Sequence, residues 1–397
     1  MKTASIQPAS RLSLVKEYYF SAKLAEIARM RNQGIDVINL GIGSPDLPPS
    51  DNVIETLKKN ASDSHNHGYQ SYNGIPQLRQ AFARWYNEHF DVTLDPEGEI
   101  LPLIGSKEGI MHISMAFINP GDEVLVPDPG YPAYAAAASL AGGVPRRYSL
   151  TAGNGWYPDI DALESEGVEK VRIMWVNYPH MPTGATATEE LFRDLVVFAR
   201  RHSILLCNDN PYSFILNDDR LSLLSIPGAM EVALELNSLS KSHNMAGWRI
   251  GMVAGDRTFI SNIIKVKSNM DSGMFQPLQA AAAEALAAPA EWYSELNNVY
   301  RRRRLAAADL MAALSCSYEK EQAGLFLWGK IPGHYADAVA MTDELLGKYH
   351  LFITPGIVFG SNGKDYIRIS LCATEETLGK ALSRITSKSI DQTKINH

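Results

Sequence analysis

The stretch SLSKSHNMAGWRIG, residues 238–251, lies between two short apolar runs, ALELNSL (233–239) and IGMVAG (250–255), and puts Ser238, Ser240, Lys241 and Arg249 within twelve positions. A lysine between two buried strands is an unusual placement. As a solvated ammonium with a pKa of ~10.4 it is a poor nucleophile, whereas a desolvated or cation-flanked lysine forms a Schiff base with a carbonyl. Arg249 suits a phosphate carried by the same carbonyl compound. The plainer alternative is a surface loop with a salt-bridging lysine, and this segment alone does not choose between the two.

Outward from that stretch, further apolar runs recur: ILPLI (100–104), EVLVP (123–127), VRIMWV (171–176) and SILLCN (203–208). They are too short for helices and mostly lack polar alternation, so they read as strands buried on both faces. Segments of helical length separate them at 107–118, 132–141 and 188–202, the last opening with Thr188 as an N-cap followed by Glu189 and Glu190. Strands alternating with helices predict an α/β fold around a mostly parallel sheet. After about residue 256 the pattern turns to long helices, including 290–313, and then to a strand and helix mixture ending in YIRIS (366–370). The expected division is a large domain over 51–284 and a smaller α+β domain built from 1–50 and 285–397. The final SKSIDQTKINH (387–397) reads as a polar tail.

Composition narrows the function. The 397 residues are 45% hydrophobic and 20% charged, ordinary values for a folded globular chain. Lys plus Arg number 37 against 44 Asp plus Glu, a net charge of −7 that argues against a nucleic-acid partner. Cys207, Cys316 and Cys372 are too dispersed for a disulfide framework or a CxxC metal pair. The opening MKTASIQPASRLS has no apolar core of signal-peptide length, and the most apolar later stretch (278–288) is interrupted by Glu284, so a cytoplasmic location without membrane association is expected.

Other segments add candidate chemistry. GSKEG (105–109) follows a strand and begins a helix, so the N–H groups of Ser106 and Lys107 can face an anion. DPGYPAY (128–134) puts Tyr131 in a proline-bounded turn, where its ring can stack on a planar heterocycle, and CNDNPYSF (207–214) puts Asp209 at a strand end with Tyr212 three residues later. A serine cap, a packing tyrosine and a turn aspartate are the plainer readings of each. His65 and His67 read as a polar loop without a third metal ligand, and the Arg301–Arg304 run as a solvated or intersubunit helix. No metal is expected.

Taken in order, GIGSPD (41–46), YQSYNGIPQLR (69–79), GSKEG, GYP (130–132), NYPHMPTG (177–184), DNPY (209–212), SLSKSHNMAGWRIG and YIRIS resemble the class I/II aminotransferases, fold-type I enzymes dependent on pyridoxal 5′-phosphate (PLP). The match runs over nearly the whole chain. GSKEG, DSGMFQP (271–277) and TPGIVFG (354–360) look most like the branch with LL-diaminopimelate, alanine and aspartate aminotransferases. The resemblance implies a Schiff base on Lys241, with Asp209 on the pyridine nitrogen, Tyr131 stacked on the ring and Tyr212 donating to its phenolic oxygen. It further implies a phosphate site of Ser106, Lys107, Ser238, Ser240 and Arg249, joined by Tyr69 and, in a lesser role, Ser272 from a neighbouring subunit. Arg368 would clasp the substrate α-carboxylate with help from the backbone around Gly43, so the resemblance implies a homodimer with shared active sites.

One position departs from the family: its usual Asn-Pro-Thr-Gly is Met181-Pro-Thr-Gly here, and a thioether cannot donate a hydrogen bond to the phenolic oxygen. Losing that donor is expected to raise the basicity of the Lys241 Schiff base. Asn177 or His180 stands near enough in sequence to supply a substitute. The expected activity is ping-pong transfer of the amino group of a small α-amino acid to a 2-oxo acid. A PLP-dependent C–S lyase or other β-eliminating enzyme is the alternative on the same fold, and a non-catalytic PLP-binding sensor a more remote one. Tyr18, Tyr19 and Phe20 are expected near the substrate mouth, and Lys107 near a distal carboxylate.

Overall fold

The computed structural model describes residues 6–15 and 19–395, the side chains of 20, 21 and 388–395 excepted. In chain order its strands are β1 (Ile38–Asn39), β2 (Ile100–Leu103), β3 (Glu123–Asp128), β4 (Val144–Ser149), β5 (Val171–Val176), β6 (Leu205–Asp209), β7 (Ala233–Ser238), β8 (Gly251–Gly255), β9 (Ser317–Tyr318), β10 (Phe326–Lys330), β11 (Leu351–Phe352), β12 (Thr354–Pro355) and β13 (Tyr366–Ser370). A seven-stranded sheet has the order β2-β8-β7-β6-β5-β3-β4. Its neighbours from β7 to β4 are parallel, while β8 runs antiparallel to both β7 and β2. Every residue of β2, β6, β7 and β8 is buried. Helices on both faces of the sheet leave no polar side to alternate with, which is why these strands read as unbroken apolar runs.

The edge strand β4, VPRRYS, was not anticipated. Only its Tyr148 is buried and Val144 is 52% exposed, so it carries no apolar run to find. The helices anticipated between strands lie at Ser106–Phe117, Ala133–Leu140 and Glu189–His202. The Thr188 hydroxyl accepts from the Leu191 N–H at 3.1 Å, and Arg200, Arg201 and His202 occupy the last turn of that helix, against its negative end.

The reversal of β8 decides where chemistry gathers. Being antiparallel, β8 begins at the edge where β3, β5, β6 and β7 end, and β2, reversed again, ends there too. Segments 105–107, 129–131, 177, 209, 238–241 and 249 therefore converge at the carboxyl edge of one sheet, where helix N-termini leave room and N–H donors for a ligand.

The smaller part is a four-stranded antiparallel sheet, β12-β13-β10-β9, and β1 pairs in parallel with β11 beside it. On helix Ala290–Ala313, Arg301 and Arg302 are exposed as a solvated run would be, but Arg303 corrects that expectation. Arg303 is 4% exposed and grips Asp46 through two hydrogen bonds of 2.7 and 2.8 Å, with a third to the Leu371 carbonyl at 3.1 Å. Arg302 pairs with Glu375, and Arg304 donates to the Gln322 carbonyl. A residue on every side of one turn meets a different intramolecular acceptor. The last helix, Glu375–Ile395, takes in most of the segment read as a tail.

Removing the partner of a buried arginine leaves a charge that cannot rehydrate. Asp46→Ala is therefore expected to lower stability by about 3 kcal/mol, the low end for a broken buried pair because Asp46 keeps some water. A urea-unfolding midpoint unchanged from the parent would contradict this.

Candidate active site

Lys241 projects from a four-residue helical turn, Leu239–Ser242, that Ser238 caps by accepting from the Ser240 N–H at 3.2 Å. Its Nζ donates to the Gly43 carbonyl at 2.7 Å, across the junction between the two parts of the chain. A β-carbon at Gly43 would lie 2.1 Å from Phe326 Cζ, so only glycine lets this backbone come so near. Burial, the largest cause, pushes the Lys241 pKa down, and the guanidiniums of Arg368 and Arg249 push it the same way. The amine is thus biased toward its neutral, nucleophilic form.

The surrounding cavity is about 440 Å³ and is lined by Gly43, Ser106, Lys107, Tyr131, Asn177, Asp209, Tyr212, Ser238, Ser240, Lys241, Arg249 and Arg368. The structure brings these twelve sequence-predicted residues together. Asp209 ends β6 and is 5% exposed. Its Oδ2 accepts from the Tyr134 hydroxyl at 2.9 Å, while Oδ1 is buried with no hydrogen-bond partner. Burial pushes its carboxyl up to about 6 against the Tyr134 hydrogen bond. Burial also raises the Tyr212 hydroxyl, so it stays a donor at neutral pH.

At the other end of the cavity, the Ser238 and Ser240 hydroxyls are 2.8 Å apart, and Arg249 reaches the Ala246 carbonyl at 2.9 Å and Ser240 Oγ at 3.5 Å. Gly105, at φ 80°, precedes the helix carrying Ser106 and Lys107, and a β-carbon there would sit 2.2 Å from Arg249 Nη2. Hydroxyls, a guanidinium and a helix N-terminus together form an anion cradle. An amine between a cradle for anions and a lone carboxylate oxygen fits a ligand with an anionic arm, a carbonyl and a basic ring nitrogen.

Arg368 stands on β13, with its Cζ 3.8 Å from the Phe326 ring centre and 4.6 Å from that of Phe359. Its Nη2 donates to the Gly41 carbonyl at 2.8 Å and its Nη1 meets Met181 Sδ at 3.2 Å. Asn177 spends its amide on backbone, donating to the Asp209 carbonyl and accepting from the Met181 N–H at 2.8 Å. His180 is buried, its Nδ1 paired with the Thr183 hydroxyl at 2.7 Å, and it does not line the cavity.

Tyr69, 93% exposed, and Ser272, also exposed, do not line the cavity of their own chain. Tyr18 and the side chain of Phe20 lie outside the described residues, and Leu24 rather than Tyr19 borders the cavity. Sequence reading missed Tyr134, whose signal was its place in the first turn of the helix that follows Tyr131. Its ring stacks on Trp175 at 5.0 Å, which aims the hydroxyl at Asp209. Phe326 and Phe359 carried no signal, since a phenylalanine flanking an arginine reads as core. His65 pairs with Asp63 and His67 with the Ala61 carbonyl in an exposed turn. Elsewhere among the described residues Glu108, His112 and Asp271 come together, but the buried ammonium of Lys267 pairs with Asp271 and lies 3.9 Å from Glu108.

Comparison with known proteins accords with this site. The family described as aminotransferase class I and II matches residues 35–385. The LL-diaminopimelate aminotransferase of Desulforudis audaxviator is 43% identical over 96% of this chain and 97% of its own, and that of Aquifex aeolicus 40% over 95% and 98%. Among solved structures, BacF from Bacillus subtilis superposes with a TM-score of 0.92 at 33% identity, covering 96% of this chain and 98% of that one. An aspartate aminotransferase mutant from Thermus thermophilus gives 0.89 at 26% identity, covering 96% and 99%. With its fold, its half-buried lysine and these full-length likenesses in agreement, the chain belongs to the class I and II aminotransferases.

Proposed function

We propose that this aminotransferase moves the amino group of an amino acid of the diaminopimelate type to a 2-oxo acid, in two half-reactions on one PLP. The observation that carries the reading is the partly dried Lys241 amine in the same cavity as the unpartnered Asp209 Oδ1. The family implies PLP, and the donor set fits it: a cradle for the phosphate, an amine for the aldehyde and a lone carboxylate oxygen for the ring nitrogen. The full-length identity to enzymes named LL-diaminopimelate aminotransferases supports the substrate class.

PLP, when bound, supplies an electron sink for the pair left behind when a proton leaves the substrate α-carbon. The chain's residues do the rest. Asp209 keeps the ring nitrogen protonated by charge pairing, and Tyr134 holds its carboxylate in place. Lys241, as a neutral amine, would accept and return a proton at Nζ. Arg368, clamped between two rings, orients the α-carboxylate as a fork, with the Gly43 backbone beside it. Ser106, Lys107 through its N–H, Ser238, Ser240 and Arg249 would hold the phosphate, Tyr131 would pack on the ring and Tyr212 would donate to the ring oxygen, with Asn177 lining the same cavity.

The same reading includes a homodimer in which Tyr69 and Ser272 reach the partner's phosphate site. Exposed Tyr69, Tyr72, Met270 and Phe275 support it, because segments 66–73 and 270–276 touch through the His67–Phe275 ring contact and the Gln276–Asn66 hydrogen bond. It also includes the division into 51–284 and 1–50 with 285–397, supported by the β1–β11 pairing and the Asp46–Arg303 ion pair. Three free cysteines are consistent with a cytoplasmic enzyme.

An assay of LL-diaminopimelate with 2-oxoglutarate is expected to yield glutamate in proportion to donor consumed, with Lys241→Ala slower by at least ~10³-fold. Ammonia and an oxo acid released without an acceptor would instead identify a lyase. Because the carboxyl of Asp209 sits near 6 rather than at its ordinary 3.8, the cofactor-free protein holds a proton there that the unfolded chain releases. Its stability relative to Asp209→Asn should therefore fall as pH rises from about 4 to 6, by up to ~3 kcal/mol; a flat or rising difference would refute the assignment. Met181→Asn restores a donor near the ring oxygen. The pH at which the lysine-bound cofactor changes colour is expected to drop by about one unit, and an unchanged or higher value would contradict the role given to Met181.

A further inference from the structure

Asp128 ends β3 and is 4% exposed, yet it touches no part of the cavity. Its Oδ2 accepts from the Ser361 N–H at 3.1 Å and the Ser361 hydroxyl at 2.7 Å, and its Oδ1 from the Asn362 N–H at 3.0 Å. The Asn362 side chain donates back to the Asp128 carbonyl at 3.1 Å, and the Gly130 N–H donates to the Phe359 carbonyl at 2.8 Å. Arg147 is the nearest cation, 3.8 Å from Oδ2. A carboxylate alone among side chains accepts from three donors converging on both its oxygens; an amide would turn an N–H toward at least one of them.

The turn that supplies these donors is built for this contact. Gly360 adopts φ 144°, and a β-carbon there would lie 2.1 Å from Asp128 Oδ1. The residue before it, Phe359, is 2% exposed and forms one of the two rings that sandwich Arg368. On the other side, Asp128 leads within three residues to Tyr131 on the cavity wall.

We propose that Asp128 is a positioning residue for substrate carboxylate recognition: its carboxylate latches the turn 359–362 onto the end of β3 and so clamps the Phe359 ring against the Arg368 guanidinium. The proposal rests on the reading that Arg368 takes the α-carboxylate. Arg368 on β13 has no covalent neighbour in the large sheet, and this latch ties its packing partner to the strand end that carries Tyr131. Loosening it misplaces the fork toward substrate and transition state alike, which raises KM and leaves kcat nearly intact.

The test compares Asp128→Asn, Ser361→Ala and Arg368→Ala as PLP-loaded enzymes. Ser361 is exposed, so its variant loses one donor without burying an unpaired charge. KM for the amino donor is expected to rise roughly 10–100-fold in Asp128→Asn and about 3–10-fold in Ser361→Ala, with kcat within about threefold. The half-reaction of Ser361→Ala with an amine lacking an α-carboxylate, followed by cofactor absorbance, should be unchanged. If Ser361→Ala leaves KM at the parent value, or slows both donors equally, while Arg368→Ala raises KM, the latch is wrong and the carboxylate reading stands. If Arg368→Ala leaves KM unmoved, both fall.

Discussion

An amine held partly out of water is the constraint on which the site depends. Lys241 would be an inert ammonium on a surface; here burial and two guanidiniums favour its neutral form, and a backbone carbonyl from residue 43 holds it in place. Each nearby feature answers to that placement. Gly43 and Gly105 are glycines because Phe326 and Arg249 occupy the space a side chain would need. Asp209 lines the same cavity, with one carboxylate oxygen that has no hydrogen-bond partner.

The fold makes this arrangement inexpensive to build. Reversing one strand in an otherwise parallel sheet brings the beginning of β8 level with the ends of its neighbours, so that residues 238–249 leave and re-enter the sheet at the same edge. Lys241 and Arg249 therefore border one cavity from within that single strand connection. Arg368 comes from the smaller sheet, and the Lys241–Gly43 and Asp128–Ser361 contacts tie that part to the large sheet. The shape of the cavity thus depends on how the two parts are held together.

Much of this was legible in the residues because buried strands of a parallel sheet are apolar on both faces, and six such runs stand out. The edge strand β4 was illegible for the opposite reason, having little to bury. At the site, lysine, aspartate and arginine stood out because their charges are out of place beside apolar strands. Tyr134 did not, since one more tyrosine in an alanine-rich helix reads as packing until its hydroxyl is seen to face Asp209. The solvated reading of the arginine run holds for Arg301 and Arg302, whereas the burial of Arg303 against Asp46 is visible only in the coordinates. The substitute donors considered for the missing asparagine were likewise undecidable from spacing: Asn177 is occupied with backbone and His180 turns to Thr183.

The central claim is that the nitrogen of Lys241 bonds the cofactor's aldehyde carbon. Borohydride reduction of the PLP-loaded protein, followed by proteolysis and mass mapping, tests it most directly. A single pyridoxyl label on the peptide containing Lys241 is the predicted result; a label on another lysine, or none, would contradict the account.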